Sequence, residues 1–519
     1  MRQLNRRMGQ AALIVAAGVL LSRILGQLRD IIFAALLGAD GVTDQYVAAF
    51  RIPDFLNYLL AGGFLSITFI PIFSRYLADD DEEGGWRALT AIVRPITAGI
   101  AVLVVVGWVA APAVIEWLYP GFTAEQTVNT IRLTRIVLPA QIFFVVGALF
   151  SAVQYAKAKF VVPTLAPIVY NLGIIVGGVA DAIITDAPGP EGFLWGALVG
   201  AFVGNFLLQW WGARRAGMHW IGGTEWGHPA LAEYLKIALP LMIGQSIVVL
   251  DETFMSVFGN QVGEAAQTQL QFARRTMLVP VGVIAQAASV AAYPFLARLF
   301  AENRRREMAR SVDRSLSYVV VLSMAATALL AAVTQPVIQT LFQRAQFDAT
   351  DTVATARALF FYALAIPIWG ALQILSRAFY AMKDMWTPVI IGTGATVLAV
   401  PIFVLFENRF GLEGVATAST TALALYTIVL GVVWYRARQE GGDPATVVDA
   451  AARSIPVVVP ASFAAYGVAW ALRTILGTGW WVAFASVALG TAAFTAATFG
   501  IGALLYERFG APLRAAGRG

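Results

Sequence analysis

Long apolar segments recur along the whole chain, and they restrict the fold more than any other feature of the sequence. A helix needs about 20 mainly apolar residues to cross a bilayer, whereas membrane β-barrels alternate polar and apolar residues in segments of about ten. Only 13% of the 519 residues are charged, which is roughly half the share found in soluble domains. The sequence therefore predicts an all-α polytopic membrane protein.

Fourteen segments have the length and composition of transmembrane helices, and we number them as spans 1–14 in chain order. An even number of spans leaves both ends of the chain on one side of the membrane. The predicted spans are 9–37, 43–77, 88–118, 126–156, 160–184, 191–213, 230–258, 264–299, 312–342, 351–381, 386–406, 411–436, 450–474 and 478–506.

Basic residues are concentrated in the connections on one side of these spans. By the positive-inside rule that side is the cytoplasm, so both termini are predicted to be cytoplasmic. The net charge of +5 then reflects topology and anionic lipid headgroups, and no nucleic acid partner is expected. The opposite connections hold little beyond Arg344, Arg409 and Arg473. The basic residues of the cytoplasmic connections are Arg75, Arg87, Lys157, Lys159, Arg214, Arg215, Arg298, Arg304, Arg305, Arg306, Lys383, Arg436 and Arg438.

The chain also contains an internal repeat. Six short matches recur in the same order at an offset that drifts only from 221 to 225 residues; for example, residues 30–33 return as 251–254, and 69–75 return as 292–298. Because the offset spans an even number of helices, the two halves have the same membrane orientation, as in parallel-repeat transporters. Such transporters bind substrate between their halves and open to alternate sides of the membrane.

The repeat predicts two six-helix lobes followed by a C-terminal helix pair. The lobes are residues 1–220 (spans 1–6) and 221–440 (spans 7–12), and residues 441–519 carry spans 13–14 outside the repeat. The last pair is rich in small residues, which either permit close helix packing or line a groove for a lipid tail. Its glycines include Gly467, Gly490, Gly500 and Gly502.

Charged residues lie inside several of the apolar spans. A charge at membrane depth costs at least about 2.5 kcal/mol, so such residues usually face a watery cavity or a partner and mark a substrate path. Because cations outnumber anions here, we expect a cavity that binds an anion. The residues are Arg23, Arg29 and Asp30 in span 1, Arg51 and Asp54 in span 2, and Arg274 and Arg275 in span 8.

Helix geometry leaves two interpretations of span 1. Arg23 and Asp30 are seven residues apart and share a face, with Gly26 between them, whereas Arg29 points about 100° away and need not join their pairing. Arg23 and Asp30 could form a structural ion pair while Arg29 reaches the outer interface. Alternatively, the arginines line the cavity, where their planar forks would suit a diphosphate.

Other chemistry finds little support in the sequence. The chain has no cysteine, and its two histidines are too few for a zinc site, so no metal or other cofactor is expected. The acidic run at 79–83 lies in a glycine-containing connection, as solvated loops do, and no nucleotide-binding or nucleophile motif is present. We therefore expect a transporter and not an enzyme.

Three short motifs near the N-terminus, at residues 22–30, 43–44 and 49–53, look like the opening of the MurJ/MviN-type lipid II flippases. Further matches cover spans 1–12 and are found at residues 69–71, 119–122, 163–167, 171 and 387–389. The resemblance implies fourteen helices, in which the last two form a groove for the lipid tail, in the bacterial cytoplasmic membrane. The substrate would be the undecaprenyl-diphosphate-linked peptidoglycan precursor, moved from the inner to the outer leaflet by a protein expected to be a monomer.

The resemblance also implies site residues. Family cavity arginines correspond to Arg23, Arg29 and Arg275, with Asp30 beside them, and Arg51 takes a basic family position. Asp44 matches the turn between spans 1 and 2.

Four positions depart from the family pattern. Asn57 and Tyr58 replace two arginines, Gly62 replaces a glutamate, and Arg274 replaces an aspartate. Counting only the arginines of the cavity, one is lost from span 2 and one is gained in span 8, so Asn57 and Arg274 are included among the candidate substrate contacts.

Transport needs an energy source. The resemblance implies one possibility, since some family members carry a sodium site built from an acidic residue in span 7 and polar residues in span 11. Asp251 or Glu252 could supply the acidic residue, but span 11 offers only Thr393 and Thr396. The membrane potential, or a proton taken up by Asp30, Asp251 or Glu252, is the alternative. The competing functions are a flippase for another lipid-linked oligosaccharide and a multidrug antiporter, the latter disfavoured by the cationic spans.

Overall fold

The computed structural model describes residues 2–60, 64–185, 188–221, 227–437 and 441–516. Within these ranges the regular structure is helical, apart from one isolated bridge between Arg344 and Phe347. The prediction of an all-α fold is therefore confirmed. The chain divides into two compact units, residues 1–268 and 269–519.

The first unit contains eleven helices among its described residues, several of which share one predicted span. A π-helical segment, Ala201–Leu207, joins α9 to α10 within span 6. The helices are α1 Arg2–Leu37, α2 Gly41–Ala49, α3 Arg51–Leu60, α4 Phe64–Ala78, α5 Glu82–Leu118, α6 Ala124–Val137, α7 Ala140–Ala156, α8 Val161–Ile184, α9 Pro190–Gly200, α10 Leu208–Arg215 and α11 Pro229–Val262.

The second unit begins within α12 and ends with the C-terminal helix pair. A π-helical segment, Gly282–Gln286, joins α12 to α13. The helices are α12 Ala266–Val281, α13 Ala287–Ala301, α14 Arg305–Ala332, α15 Thr334–Phe342, α16 Ala349–Ala363, α17 Ile366–Ala381, α18 Trp386–Ala437, α19 Pro444–Leu476 and α20 Trp480–Ala516.

Eight helices in the described residues are long and apolar enough to cross a bilayer, or nine if α16 and α17, which meet at a bend of 42°, form one span. The helix α18 is counted once in that number although it covers predicted spans 11 and 12. It breaks at Gly411, whose φ of 55° lies in the left-handed region. Glycine adopts this conformation without the steric cost that a side chain would add, so the chain turns between two spans there.

The core of the first unit is a set of aromatic and aliphatic side chains contributed mainly by α4, α5 and α7. Phe69 stacks on Phe73 at 5.5 Å between ring centroids, and Phe73 contacts Trp86 at 4.8 Å. All three are completely buried. Tyr234 near the start of α11 belongs to the same cluster, so α11 packs with the first six spans in the first compact unit.

The boundary between compact units therefore falls at 268, whereas the sequence repeat divides the chain after residue 220. The two boundaries describe different properties, namely packing in this structure and the period of the sequence repeat. The two-lobe organisation thus remains a prediction from the repeat.

The C-terminal pair packs within the second unit. Val458, Ala461 and Ala465 of α19 and Phe494 of α20 form a small buried cluster against the apolar face of α14. The indole nitrogen of Trp480 donates to the carbonyl oxygen of Thr340 at 2.9 Å, which fixes the start of α20 beside α15.

Close glycine packing in this pair is less extensive than its composition suggests. A Cβ added to Gly467, Gly500 or Gly502 would meet no atom within 4 Å, and only Gly490 faces a close neighbour, the side chain of Val333 at 3.2 Å. The small residues suggested either close helix packing or a groove for a lipid tail, and close packing is found at one of these four glycines.

A line of glycine-mediated contacts lies instead between α8 and α9. Gly173 and Gly177 of α8 face Gly192, Gly196 and Gly200 of α9, and backbone touches backbone along this line. A Cβ on Gly177 would meet the carbonyl oxygen of Gly192 and come within 2.7 Å of the Gly196 Cα. Small residues at four-residue spacing allow this approach in membranes, where packing replaces the hydrophobic effect as the force between helices.

We predict that Gly177→Leu separates α8 from α9 and destabilises the protein by roughly 1–3 kcal/mol, because the backbone of α9 cannot make room for the side chain. Thermal unfolding of purified protein in detergent measures the effect. Gly99→Leu is the matched control, since Gly99 lies in a long apolar helix with no atom within 4 Å of an added Cβ. Equal stability of the two variants would contradict the packing assignment.

Candidate functional site

The guanidinium of Arg29 is held by three hydrogen bonds. Its Nε and Nη2 donate to Oδ1 of Asp30 at 3.0 and 2.9 Å, and its Nη1 donates to Oδ1 of Asn171 at 3.1 Å. Asn171 is itself held, since its amide nitrogen donates to the Pro167 carbonyl oxygen at 2.9 Å. Asp30 is buried and Arg29 partly exposed. The side chain is therefore oriented while part of it is still accessible.

This arrangement corrects the expectation that Arg29 need not share the Asp30 pairing. Adjacent helical residues point about 100° apart at the Cβ, but the long arginine side chain folds back far enough to reach the neighbouring carboxylate. The residue that approaches Gly26 is Asn171, whose Oδ1 would lie 3.8 Å from an added Cβ. Arg23 lies six residues before Arg29 on α1, and its side chain is exposed.

Asn171 is the site residue that sequence reasoning missed. In the sequence it forms part of a motif that resembles the lipid II flippases, with no role assigned to it. An asparagine inside an apolar span was the available signal, because an amide at membrane depth requires hydrogen-bonding partners.

Arg51 belongs to a second ionic cluster in the first unit. The side chain is 4% exposed and lies 3.2 Å from Asp54 and 3.7 Å from Glu252 of α11, measured between nitrogen and oxygen atoms. Its Nε donates to the carbonyl oxygen of Val47 at 3.3 Å. Two predicted residues of different classes, the substrate contact Arg51 and the coupling residue Glu252, are thus brought together across α3 and α11.

Asp44 lies at the turn after α1, where the sequence placed it, but it is buried and engaged. Asp40 caps α2 through the backbone nitrogens of Val42 and Thr43. Oδ1 of Asp44 accepts from the backbone nitrogen of Thr268 at 2.9 Å and from its hydroxyl at 2.8 Å. Since Thr268 lies in the first turn of α12, the carboxylate satisfies donors that a helix leaves unpaired at its N-terminus.

Two further contacts fasten the end of α11 to the loop between α5 and α6. The hydroxyls of Tyr119 and Ser256 lie 2.9 Å apart, and the Ser256 hydroxyl donates to Oε1 of Gln267 at 2.7 Å. The backbone nitrogen of Gly121 donates to Oδ1 of Asn260 at 3.1 Å. None of these bonds involves a charged group.

The remaining candidates differ in exposure. Asn57 and Asp251 of the first unit are each partly buried. In the second unit Arg274 is buried and Arg275 partly exposed, as expected for adjacent residues that point about 100° apart on one helix. A ligand can therefore reach Arg275 more readily than Arg274, the residue that replaces a family aspartate. Among the described residues, no three histidine or acidic side chains are placed to hold a metal ion.

We predict that Arg51 and Glu252 stabilise the fold jointly. Arg51→Gln and Glu252→Gln should each lower the unfolding free energy, and the double variant should lose less than their sum by about 0.5–3 kcal/mol, because the partners interact directly. Unfolding in mixed detergent micelles measures the cycle.

The exposed pair of Arg87 and Glu83, one helical turn apart, is the matched control for this cycle. Solvent screening should reduce its coupling to well below 1 kcal/mol. A coupling of Arg51 to Glu252 no larger than that of the control would refute the joint role.

Comparison with known proteins places this geometry in a family. A sequence model described as lipid II flippase MurJ matches residues 33–489. The lipid II flippase MurJ of Burkholderia cenocepacia is 26% identical over 427 residues, covering 81% of this chain and 82% of that protein. A probable lipid II flippase MurJ of Vibrio cholerae is 26% identical over 443 residues, covering 82% of each chain.

Solved structures show the same fold. The chain superposes on a lipid II flippase MurJ in an inward closed conformation with a TM-score of 0.76 and 19% identity, covering 96% of this chain and 99% of the other. An inward-facing multidrug resistance transporter of the MATE family and MOP superfamily matches with a TM-score of 0.65 and 17% identity, covering 80% and 94%. Because the sequence model covers 457 of the 519 residues, the chain belongs to the lipid II flippase MurJ family.

Proposed function

We propose that the protein flips lipid II, the undecaprenyl-diphosphate-linked peptidoglycan precursor, from the inner to the outer leaflet by alternating access. Its family consists of transporters and not enzymes. The observation that carries the proposal at the level of residues is the Arg29 guanidinium, which Asp30 and Asn171 orient inside an apolar helix.

The donors of Arg29 are only partly used. A guanidinium has five N–H donors, and the three hydrogen bonds to Asp30 and Asn171 leave two for a ligand. Asp30 offsets the positive charge of Arg29. Arg23 lies about 9 Å from Arg29 toward the N-terminus of α1 by helix geometry, and it supplies the net charge that an anion requires. Arg275 is proposed to contact the same substrate.

The remaining candidates are proposed to have supporting roles. Arg51 is held by Asp54 and Glu252, so we propose that it acts on the substrate indirectly by setting the position of α3. The partly buried Asn57 contributes hydrogen bonds where the family usually has arginine. Buried Arg274 and Asp44 act on the shape of the site, and a flippase for another lipid-linked oligosaccharide would retain all these features.

We further propose fourteen spans, cytoplasmic termini and a location in the bacterial cytoplasmic membrane. The distribution of basic residues supports this orientation. The protein is proposed to act as a monomer without a bound cofactor.

Coupling to the membrane potential, to protons or to sodium is the proposed source of energy. Asp30 and Glu252 each face an arginine, so a proton taken up by either one would weaken an ion pair and release a guanidinium. Asp251 is the third candidate.

We predict that Arg29→Ala and Arg275→Ala each abolish lipid II transport in cells that depend on this protein alone. Loss of one charge-assisted hydrogen bond removes roughly 1.5–3 kcal/mol, or at least about tenfold in affinity. Lysine should restore transport only in part, because it keeps the charge but lacks the fork. Accessibility of lipid II at the outer leaflet is the measurement.

Arg87→Ala is the control for these variants, since Arg87 is exposed and pairs with Glu83 one helical turn away. If the Arg29 and Arg275 variants insert normally and still flip lipid II at the wild-type rate, the proposed site is wrong. If the wild-type protein itself fails to replace a lipid II flippase, another lipid-linked oligosaccharide becomes the favoured substrate.

Deletion of residues 450–519 tests the proposed lipid-tail groove. The deletion should abolish transport while the rest of the chain stays folded, because the surface uncovered on α14 is apolar and lipid can cover it. Outer-leaflet accessibility and thermal unfolding separate the two effects. Full transport by the shortened protein would exclude a groove in α19 and α20.

A further inference from the structure

A charged cavity of about 570 Å³ lies within the second unit at the beginning of α14 and α19. Its lining includes Arg310, Arg314 and Tyr318 of α14 and Arg453 of α19. None of these residues takes part in the site proposed above. We propose that this cavity binds the phosphate of an anionic glycerophospholipid in the cytoplasmic leaflet.

The acidic residues around the cavity are already engaged. Asp313 accepts from the Tyr435 hydroxyl at 2.7 Å and from the backbone nitrogen of Asp443 at 2.8 Å. The Asp443 side chain caps α19 by accepting from the nitrogen of Ala445 at 2.9 Å. Both carboxylates accept from neutral donors, and neither forms an ion pair with an arginine in the described part of the chain.

The other two nearby carboxylates are also paired. Asp449 binds the guanidinium of Arg453 at 2.7 and 3.0 Å. Glu307, one turn before Arg310, pairs with Arg304 at 2.6 Å. The guanidinium of Arg453 is thus already paired with Asp449 of the same helix.

Arg310 and Arg314 remain as cations without an ion pair in the described part of the chain. They are four residues apart on one helix, so their side chains are neighbours on the same face. Two adjacent guanidiniums whose forks are unoccupied match the oxygens of a phosphate. The arrangement therefore selects an anion with several acceptors and not a lone carboxylate.

The position of these arginines along the helices indicates that the bound anion is the headgroup of a lipid. Arg314 is the last charged residue before the uncharged stretch 315–332 of α14, and Arg453 is the last before 454–472 of α19. Both therefore lie where the headgroup region meets the hydrocarbon core. Tyr318, one turn beyond Arg314, is 67% exposed, as aromatic residues at the membrane interface commonly are.

The orientation proposed above puts this end of the helices at the inner leaflet. Basic pockets between transmembrane helices on the cytoplasmic side are suited to anionic lipid headgroups, because that leaflet carries the negative surface potential. A ligand with a phosphate head and an apolar body satisfies the two arginines and the uncharged stretches together. A soluble phosphate would satisfy the arginines alone.

The test is lipid binding to the purified, delipidated full-length protein, measured by native mass spectrometry during titration with phosphatidylglycerol or phosphatidylcholine. We expect one saturable phosphatidylglycerol with at least about tenfold preference over phosphatidylcholine. Arg310→Gln/Arg314→Gln should weaken its binding at least about tenfold. Equal binding of both lipids by the wild-type protein would overturn the proposal.

Arg75→Gln/Arg87→Gln is the matched control, because it removes two basic residues of the predicted cytoplasmic side that pair with Glu233 and Glu83. If the control loses as much phosphatidylglycerol affinity as the Arg310/Arg314 variant, the effect depends on net charge alone and the proposal is overturned. Wild-type affinity in Arg310→Lys/Arg314→Lys would also overturn the forked phosphate contact. If the double glutamine variant does not fold, the single variants Arg310→Gln and Arg314→Gln supply the measurement.

A competition arm separates the two sources of phosphate. Glycerol 1-phosphate at the concentration of the lipid should leave bound phosphatidylglycerol in place, because it lacks the apolar body. Displacement at matched concentration would show a site for free phosphate and overturn the lipid assignment. The binding assay does not depend on transport, so it stands or fails separately from the flippase activity.

Discussion

The structure of the first unit depends on how it compensates arginine inside apolar helices. A cation at membrane depth is costly unless it has a partner, and both Arg29 and Arg51 have carboxylate partners close by. Each then reaches one other helix, Asn171 on α8 for Arg29 and Glu252 on α11 for Arg51. These contacts therefore join α1 to α8 and α3 to α11.

If Arg29 binds an anion as proposed, its contacts explain how the site can exist without its ligand. If Arg29 had no partner, it would carry a large desolvation cost, and if all its donors were taken it could not bind a phosphate oxygen. Asp30 and Asn171 occupy three of the five donors. The side chain is thereby oriented in advance, which at the proposed site would lower the ordering cost of binding an anion.

The helical fold and the charged helices could be predicted from the sequence, because hydropathy and helical spacing report them directly. The pairing of Arg29 with Asp30 could not, since the reach of a flexible guanidinium overrides the angle between neighbouring Cβ atoms. The contact between Arg51 and Glu252 joins residues 201 positions apart, and spacing within one helix carries no signal for it. Composition suggested close glycine packing in the tail pair, but a glycine packs closely only where another helix faces it. Gly177 is such a case, because it faces the backbone of α9.

The glycine contact between α8 and α9 has a mechanical consequence. Where backbone meets backbone, no side-chain rotamers are available to absorb a displacement, so the two helices form one stiff pair. Asn171 lies on α8 two residues before Gly173, and its amide oxygen accepts a hydrogen bond from Arg29. Any displacement of α8 would therefore carry α9 with it and would move the amide of Asn171 that accepts from the Arg29 guanidinium.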